Sequence, residues 1–286
     1  ADADVYDSHT YSLVAGAGGG SNSSFTIAGN QLLSNIVFNY EFVSSCSIRV
    51  QTNDGNGGVF EKIFVITVNN MNDVPYSIVL SNSSVNENVS LSSLVGNLSA
   101  LDGDVGDVHT YTLVAGAGSA NNASFTISGN QLLTATALNF EVKSSYSIRI
   151  QTNDGNGGTY QKAFSIAVND VNEAPLYHDA AVSIVENLSN ASNVLNTSAT
   201  DVDALQVLTY SIVSGNTGGA FSINSSSGQI SVANSFALNY EVTPLFSLVV
   251  RATDNGTGSL FDNAAISITI TNVNDSPVFT LPGAQV

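Results

Sequence analysis

Acidic residues recur along this chain in five short phrases at a nearly fixed interval. An Asp-x-Asp pair stands at Asp2 and Asp4, at Asp102 and Asp104, and at Asp201 and Asp203. A Leu/Phe-Asn-aromatic-Glu phrase runs from Asn39 to Glu41, Asn139 to Glu141 and Asn239 to Glu241, and an Asp closes QTND or RATD at Asp54, Asp154 and Asp254. A Glu-Asn step occurs at Glu87 and Glu186. The fifth phrase ends on proline: Asn70-Met71-Asn72-Asp73-Val74-Pro75, Asp170-Val171-Asn172-Glu173-Ala174-Pro175 and Asn272-Val273-Asn274-Asp275-Ser276-Pro277. Taken singly, each is ordinary turn or strand-end chemistry, because Asp and Asn cap turns through their own backbone. Recurring together with the period of the chain, they predict carboxylates gathered at defined places. Oxygen donors without His or Cys suit a hard divalent cation, and a flexible cage of 6 to 8 oxygens suits Ca2+ better than Mg2+.

The elements that must position these groups repeat as well. HTYSLVAGAG at His9–Gly18 returns as HTYTLVAGAG at His109–Gly118, FTIAGNQLL returns as FTISGNQLL, and SIRVQTNDGNGG returns as SIRIQTNDGNGG, all 100 positions apart. A third, more diverged copy carries LTYSIVSGN, FALNYEV and FSLVVRATDNG. Runs such as Ser147–Thr152 and Phe246–Val250 alternate or are β-branched, and Gly/Asn/Asp/Ser clusters separate them. Such runs predict an all-β chain of tandem seven-stranded antiparallel Greek-key sandwiches arranged end to end. The NDGNGG phrases at 53–58 and 153–158 predict hairpin turns. The prolines mark the seams, giving repeats over 1–74 (lacking its first strand), 75–174 and 175–276, with 277–286 opening a further repeat or serving as a donor strand.

In this order and spacing, over all three copies, the five phrases resemble the calcium-binding motifs of the cadherin repeat family in its bacterial form. The resemblance implies ligands drawn from both sides of a seam. The second seam then gathers Glu87, Asn139, Glu141, Asp170, Asn172 and Glu173 with Asp201, Asp203 and Asp254. The first gathers Asn39, Glu41, Asn70, Asn72 and Asp73 with Asp102, Asp104 and Asp154; it lacks a first Glu and carries Asn70 where the second has Asp170, so fewer or weaker ions are expected. Half-sites are expected at Asp2, Asp4 and Asp54, and at Glu186, Asn239, Glu241, Asn274 and Asp275.

The totals agree with an extracellular binding or structural role. Asp and Glu outnumber Lys and Arg by 23 to 6, for a net charge of -17, which disfavours nucleic acid and anionic membranes as partners. The single cysteine, Cys46, matches Tyr146 and Phe246 in the other copies and reads as a core residue. Catalysis needs convergent groups that occur once, and this chain repeats a thinly charged set three times; it is read as no enzyme. His9 and His109 occupy matching positions beside the Asp-x-Asp phrase and read as ordinary strand residues. The expected function is a calcium-rigidified extracellular stalk or fibre segment of a bacterial surface adhesin. Its partners are neighbouring repeats of the same array, with homotypic contact or a surface ligand as candidates, and no segment enters a membrane. The alternatives are a glycan-binding or accessory module of a larger secreted protein, and a filament subunit assembling by donor-strand exchange.

Overall fold

A computed structural model describes residues 8–277. The chain forms two compact units. One takes in the chain up to Val85 together with Ser90–Ala137 and Ser145–Ala167; the other takes in Asn86–Val89, Leu138–Ser144 and the chain from Val168. No helix among the described residues is long and apolar enough to cross a membrane.

In the first unit, the first repeat contributes β1 (Thr10–Leu13), β2 (Phe25–Ala28), β3 (Gln31–Ser34), β4 (Ser45–Asn53) and β5 (Val59–Thr67). They form a three-stranded sheet, β1-β4-β5, and a two-stranded ribbon, β2-β3. The second repeat adds β6 (Ser77–Leu80), β7 (Ser84–Asn86), β8 (Leu94–Leu101), β9 (Thr110–Leu113), β10 (Phe125–Ser128), β11 (Gln131–Thr134), β12 (Ser145–Asn153) and β13 (Thr159–Asn169). These make two four-stranded sheets, β10-β11-β8-β6 and β7-β13-β12-β9. The expected first strand is thus split into β6 and β7, which serve opposite sheets. Among the described residues, β1 to β5 of the first repeat correspond to β9 to β13 of the second.

In the second unit, the third repeat contributes β14 (Ala180–Val185), β15 (Asn193–Asn196), β16 (Thr209–Ser214), β17 (Phe221–Ile223), β18 (Gln229–Val232), β19 (Leu245–Thr253) and β20 (Phe261–Thr271), in sheets β14-β20-β19-β16 and β15-β18-β17. β14 runs parallel to β20, from Ala180 opposite Ile266 to Val185 opposite Thr271. This departs from the all-antiparallel expectation. The two strands pair across more than 80 residues, and nothing local in either sequence sets their mutual direction.

The period of two along each strand places the core. On β12, Tyr146, Ile148 and Ile150 face inward, and on β19 Phe246, Leu248 and Val250 do the same; all are buried. Phe125 meets Tyr146 edge-on at 5.8 Å, and Phe221 meets Phe246 at 5.1 Å. Cys46 takes the equivalent inward place on β4 and is buried, as its alignment with Tyr146 and Phe246 predicts.

Candidate metal centre

The same alternation delivers acids to the ends of the sandwiches. Counting on from Ile148, Ile150 and Thr152 in steps of two reaches Asp154, and from Leu248, Val250 and Ala252 it reaches Asp254; both carboxylates are buried. Val85 leads to Glu87 in this way, and Ile184 to Glu186.

Glu87 is 2% exposed, and its two oxygens accept the backbone N–H of Phe140 at 2.7 Å and of Val171 at 2.9 Å. Glu186 repeats the arrangement with Tyr240 at 2.9 Å and Val273 at 2.7 Å; these bonds hold its carboxyl below the usual range. Each glutamate therefore clamps the loop before the next strand to the proline-ended phrase.

At the second seam, within the second unit, one oxygen each from Glu87, Glu141 and Glu173 lie within 4.8 Å of one another, as do oxygens of Glu141, Asp170 and Asp203. Asp203 is 6% exposed; its Oδ2 accepts the Glu173 N–H at 2.8 Å, and its own N–H donates to Asp201 Oδ1 at 3.0 Å. Asp254 accepts the backbone N–H groups of Gly256 and Leu260 and the Asn172 amide at 3.1 Å. A Cβ on Gly256 would press on the side-chain amides of Asn172 and Gln206, which would have to shift to admit it. Burial, and then the charges of Glu87, Asp203 and Glu141, push the Glu173 carboxyl up to about 7. Asp170 is also raised, by burial and by Asp203.

The first seam lies within the first unit and is built differently. Oxygens of Asp102, Asp104 and Asp107 fall within 4.8 Å of one another, beside a cleft of about 290 Å³ lined by Asn70, Asn72, Asp104, Val105, Asp107 and Asn156. Asn70 donates to Asp104 at 3.0 Å, Asn72 donates to Asp154 at 2.9 Å, and the Asp73 N–H donates to Asp104 at 2.6 Å. The Asn72 amide, together with the N–H groups of the turn after it, holds the Asp154 carboxyl below its ordinary value in spite of burial. His109 Nε2 lies 3.0 Å from Asp102 Oδ2, a pairing that the matched placement of His9 and His109 beside the acidic phrase could have suggested.

Several expected ligands also hydrogen-bond within their own turns. Asn39, Asn139 and Asn239 accept through Oδ1 from the N–H of Phe42, Val142 and Val242, closing their own turns. Glu41 is exposed and outside the first-seam carboxylate group. Asp54 accepts from the N–H of Asn56 and Gly58. Asp2 and Asp4 lie outside the described residues. Glu186, Glu241 and Asp275 do come together within 4.8 Å, with Asn272 donating to Glu241 at 2.8 Å. The residue types alone missed Asn88, which donates to Glu173, and Asn156, which donates to Asp107 at 3.1 Å.

The donor set fits a hard cation. Among the described residues, Asp201 Oδ2, Asp203 Oδ1 and Glu173 Oε2 at the second seam, and Asp107 Oδ2 at the first, are buried oxygens with no hydrogen-bond partner. Buried carboxylate oxygens left in that condition are costly unless a charge of opposite sign completes them.

Comparison with known proteins agrees with this architecture. The cadherin domain family model matches residues 180–271. Human Protocadherin Fat 1 is 29% identical over 253 residues, which covers 82% of this chain and 5% of that protein. Mouse Cadherin EGF LAG seven-pass G-type receptor 2 is 30% identical over 255 residues, covering 84% and 8%. The chain therefore spans less than a tenth of the length of these curated relatives. The solved structure of mouse Cadherin-23 EC22-24 matches with a TM-score of 0.60 at 21% identity, covering 93% of this chain and 86% of that one, a likeness of fold. These relatives are animal proteins, so the bacterial assignment expected from the motifs is not sustained; the acidic phrases carry the likeness to the repeat and no mark of its source. The repeat is a non-enzymatic one. From the match over the third copy, the internal repetition of the other two and the shared fold, the chain is a tandem of cadherin domain repeats.

Proposed function

We propose that this chain is an extracellular segment of a large adhesion protein, organised as repeats over 1–74, 75–174 and 175–276, and that Ca2+ held at its seams stiffens it. The observation that supports this most is the second seam, where three buried carboxylate oxygens without partners face a group of like charges. Calcium, when bound, supplies the positive charge and the additional coordination that these oxygens lack. The chain's own residues do the positioning. Glu87 fixes the loop that carries Glu141 to the phrase that carries Asp170 and Glu173, while Asp201 and Asp203 are held by their own turn. Adhesion and homotypic contact are the roles this reading assigns to the parent protein.

The test is a calcium titration by calorimetry on the wild type and on Asp203→Asn, with small-angle scattering in calcium and in chelator. The reading expects saturable binding that Asp203→Asn weakens by about tenfold or more, and a maximum dimension that falls when calcium is withdrawn. Unchanged binding in the variant, or scattering indifferent to chelator, would refute it.

A further inference from the structure

The Asp-x-Asp turns of the two seams are built alike on one side. Asp104 donates its N–H to Asp102 Oδ1 at 3.3 Å, and Asp203 donates its N–H to Asp201 Oδ1 at 3.0 Å. One oxygen of the leading aspartate thus closes each turn. The other oxygen meets different company. Asp102 Oδ2 lies 3.0 Å from His109 Nε2, with the Asp102 side chain 4% and the imidazole 12% exposed. Asp201 Oδ2 is buried and has no hydrogen-bond partner.

A single matched position separates the two. His109 stands seven places after Asp102 and Leu208 seven places after Asp201, each directly before the Thr-Tyr that opens β9 or β16. Leu208 packs against the core of the third repeat and has no side-chain N–H to offer. An apolar residue therefore suits this place in the fold, and packing alone does not call for an imidazole. A ring N–H directed at a carboxylate oxygen fixes that carboxylate's orientation and compensates its removal from water, as a bound cation also would. The constraint extends beyond Asp102. Asn70 and the Asp73 N–H donate to Asp104, so the orientation of Asp102 reaches the proline-ended phrase through one turn.

We infer that His109 is a positioning residue of the first seam: its ring N–H holds Asp102, and through it the Asp104 turn, with or without calcium, while Leu208 leaves the matching turn of the second seam to the cation. The inference rests on the calcium reading proposed above. Imidazole and cation do not exclude one another, because a carboxylate oxygen has a second lone pair.

The experiment compares the full chain with His109→Leu, His109→Gln and Leu208→His by amide hydrogen exchange at Asp104 and Asp203, in calcium and in chelator. In chelator, His109→Leu should speed exchange at the Asp104 amide about tenfold, the strength of one hydrogen bond to a charged acceptor. In calcium the change should be much smaller, since the ion then orients Asp102. His109→Gln keeps a side-chain N–H and should restore the protection, which shape alone does not predict when Leu fills the same place in the third repeat. Leu208→His should slow exchange at the Asp203 amide in chelator and leave it nearly unchanged in calcium. Equal exchange at Asp104 for wild type and His109→Leu in chelator would overturn the assignment, as would an equal acceleration in calcium and chelator. So would a His109→Gln chain that melts like wild type yet exchanges like His109→Leu. If the wild-type Asp203 amide ignores calcium, the calcium reading fails and this inference with it; if that amide responds while Asp104 ignores His109→Leu, this inference alone fails.

Discussion

Glu87→Ala tests whether the buried glutamate joins backbone clamping to cation binding. The side chain accepts two part-buried N–H groups at 2.7 and 2.9 Å, and hydrogen bonds to a charged acceptor contribute about 1.5–3 kcal/mol each, so their loss costs about 3 kcal/mol at the low end suited to groups that water can reach. Against this stands relief of repulsion. Oxygens of Glu141 and Glu173 lie within 4.8 Å, and each such pair of charges repels by about 0.9 kcal/mol at the dielectric of water, about 2 kcal/mol for the two. The assay is set at pH 8, above the value of about 7 to which burial and neighbouring charge push the Glu173 carboxyl. In chelator the loss and the relief nearly offset, for a net cost of about 1 kcal/mol, or roughly 3 °C in the melting temperature. In calcium the repulsion is already neutralised, the full cost of about 3 kcal/mol remains, and the melting temperature should fall by roughly 10 °C. The assay is calorimetric melting at pH 8 in both conditions, with hydrogen exchange at the Phe140 and Val171 amides as the local readout. An equal shift in calcium and chelator would refute the coupling of charge to the clamp, and unchanged exchange at both amides would refute the clamp itself.

Other consequences can be measured on the same protein. The folded-state carboxyl of Glu173 sits near 7 against a reference of 4.5, so its contribution is fully present below about pH 4.5 and is lost as pH rises through 7. In chelator the melting temperature should therefore fall between pH 6 and pH 8, and saturating calcium, which favours the ionised form, should remove or reverse that slope; a metal-free protein that melts higher at pH 8 than at pH 6 would contradict it. Calcium binding at pH 7 should release protons, read as a binding enthalpy that varies with the ionisation enthalpy of the buffer. Gly256→Ala would drive a methyl into Asn172 Oδ1, costing about 1–3 kcal/mol as overpacking and weakening calcium binding at the second seam, checked by melting and titration. Under graded chelator, exchange at the Glu173 amide of the second seam should rise before exchange at the Asp73 amide of the first.

The sequence made legible whatever the fold repeats locally. The alternation in SIRIQTN gave β12, and the acids that continue the alternation, Asp154 and Asp254, are found buried at the strand ends. The alignment of Cys46 with two aromatics identified a core position. Illegible features depend on residues far apart in the chain or on competition between equivalent oxygens. The parallel pairing of β14 with β20 has no local signature, and the division of the opening strand into β6 and β7 follows from which sheet each half meets. Asn139 Oδ1 accepts the Val142 N–H, a bond that only the folded loop shows and that leaves the oxygen a second lone pair. The split of labour at Glu87, one residue satisfying two backbone donors and facing two other carboxylates, is equally invisible in a motif that records the residue type alone.

The two seams differ at one matched position of the proline-ended phrase. Asn70 and Asp170 occupy the same place in the proline-ended phrase, facing Asp104 and Asp203 respectively. Asn70 presents an amide N–H to Asp104 and makes a bond of 3.0 Å, so protein atoms supply part of what a cation would. Asp170 has no proton to offer while ionised; burial and the facing Asp203 raise its carboxyl instead. Attraction therefore replaces repulsion at the first seam, whose geometry rests on hydrogen bonds among Asn70, Asn72, Asp73, Asp104 and Asp154. The second seam gathers Glu87, Glu141, Asp170, Glu173, Asp201, Asp203 and Asp254, and one oxygen each of Glu173, Asp201 and Asp203 is buried without a hydrogen-bond partner. The calcium reading proposed above therefore expects the second seam to depend on a cation more than the first does, with residue 70 carrying an amide where residue 170 carries an acid.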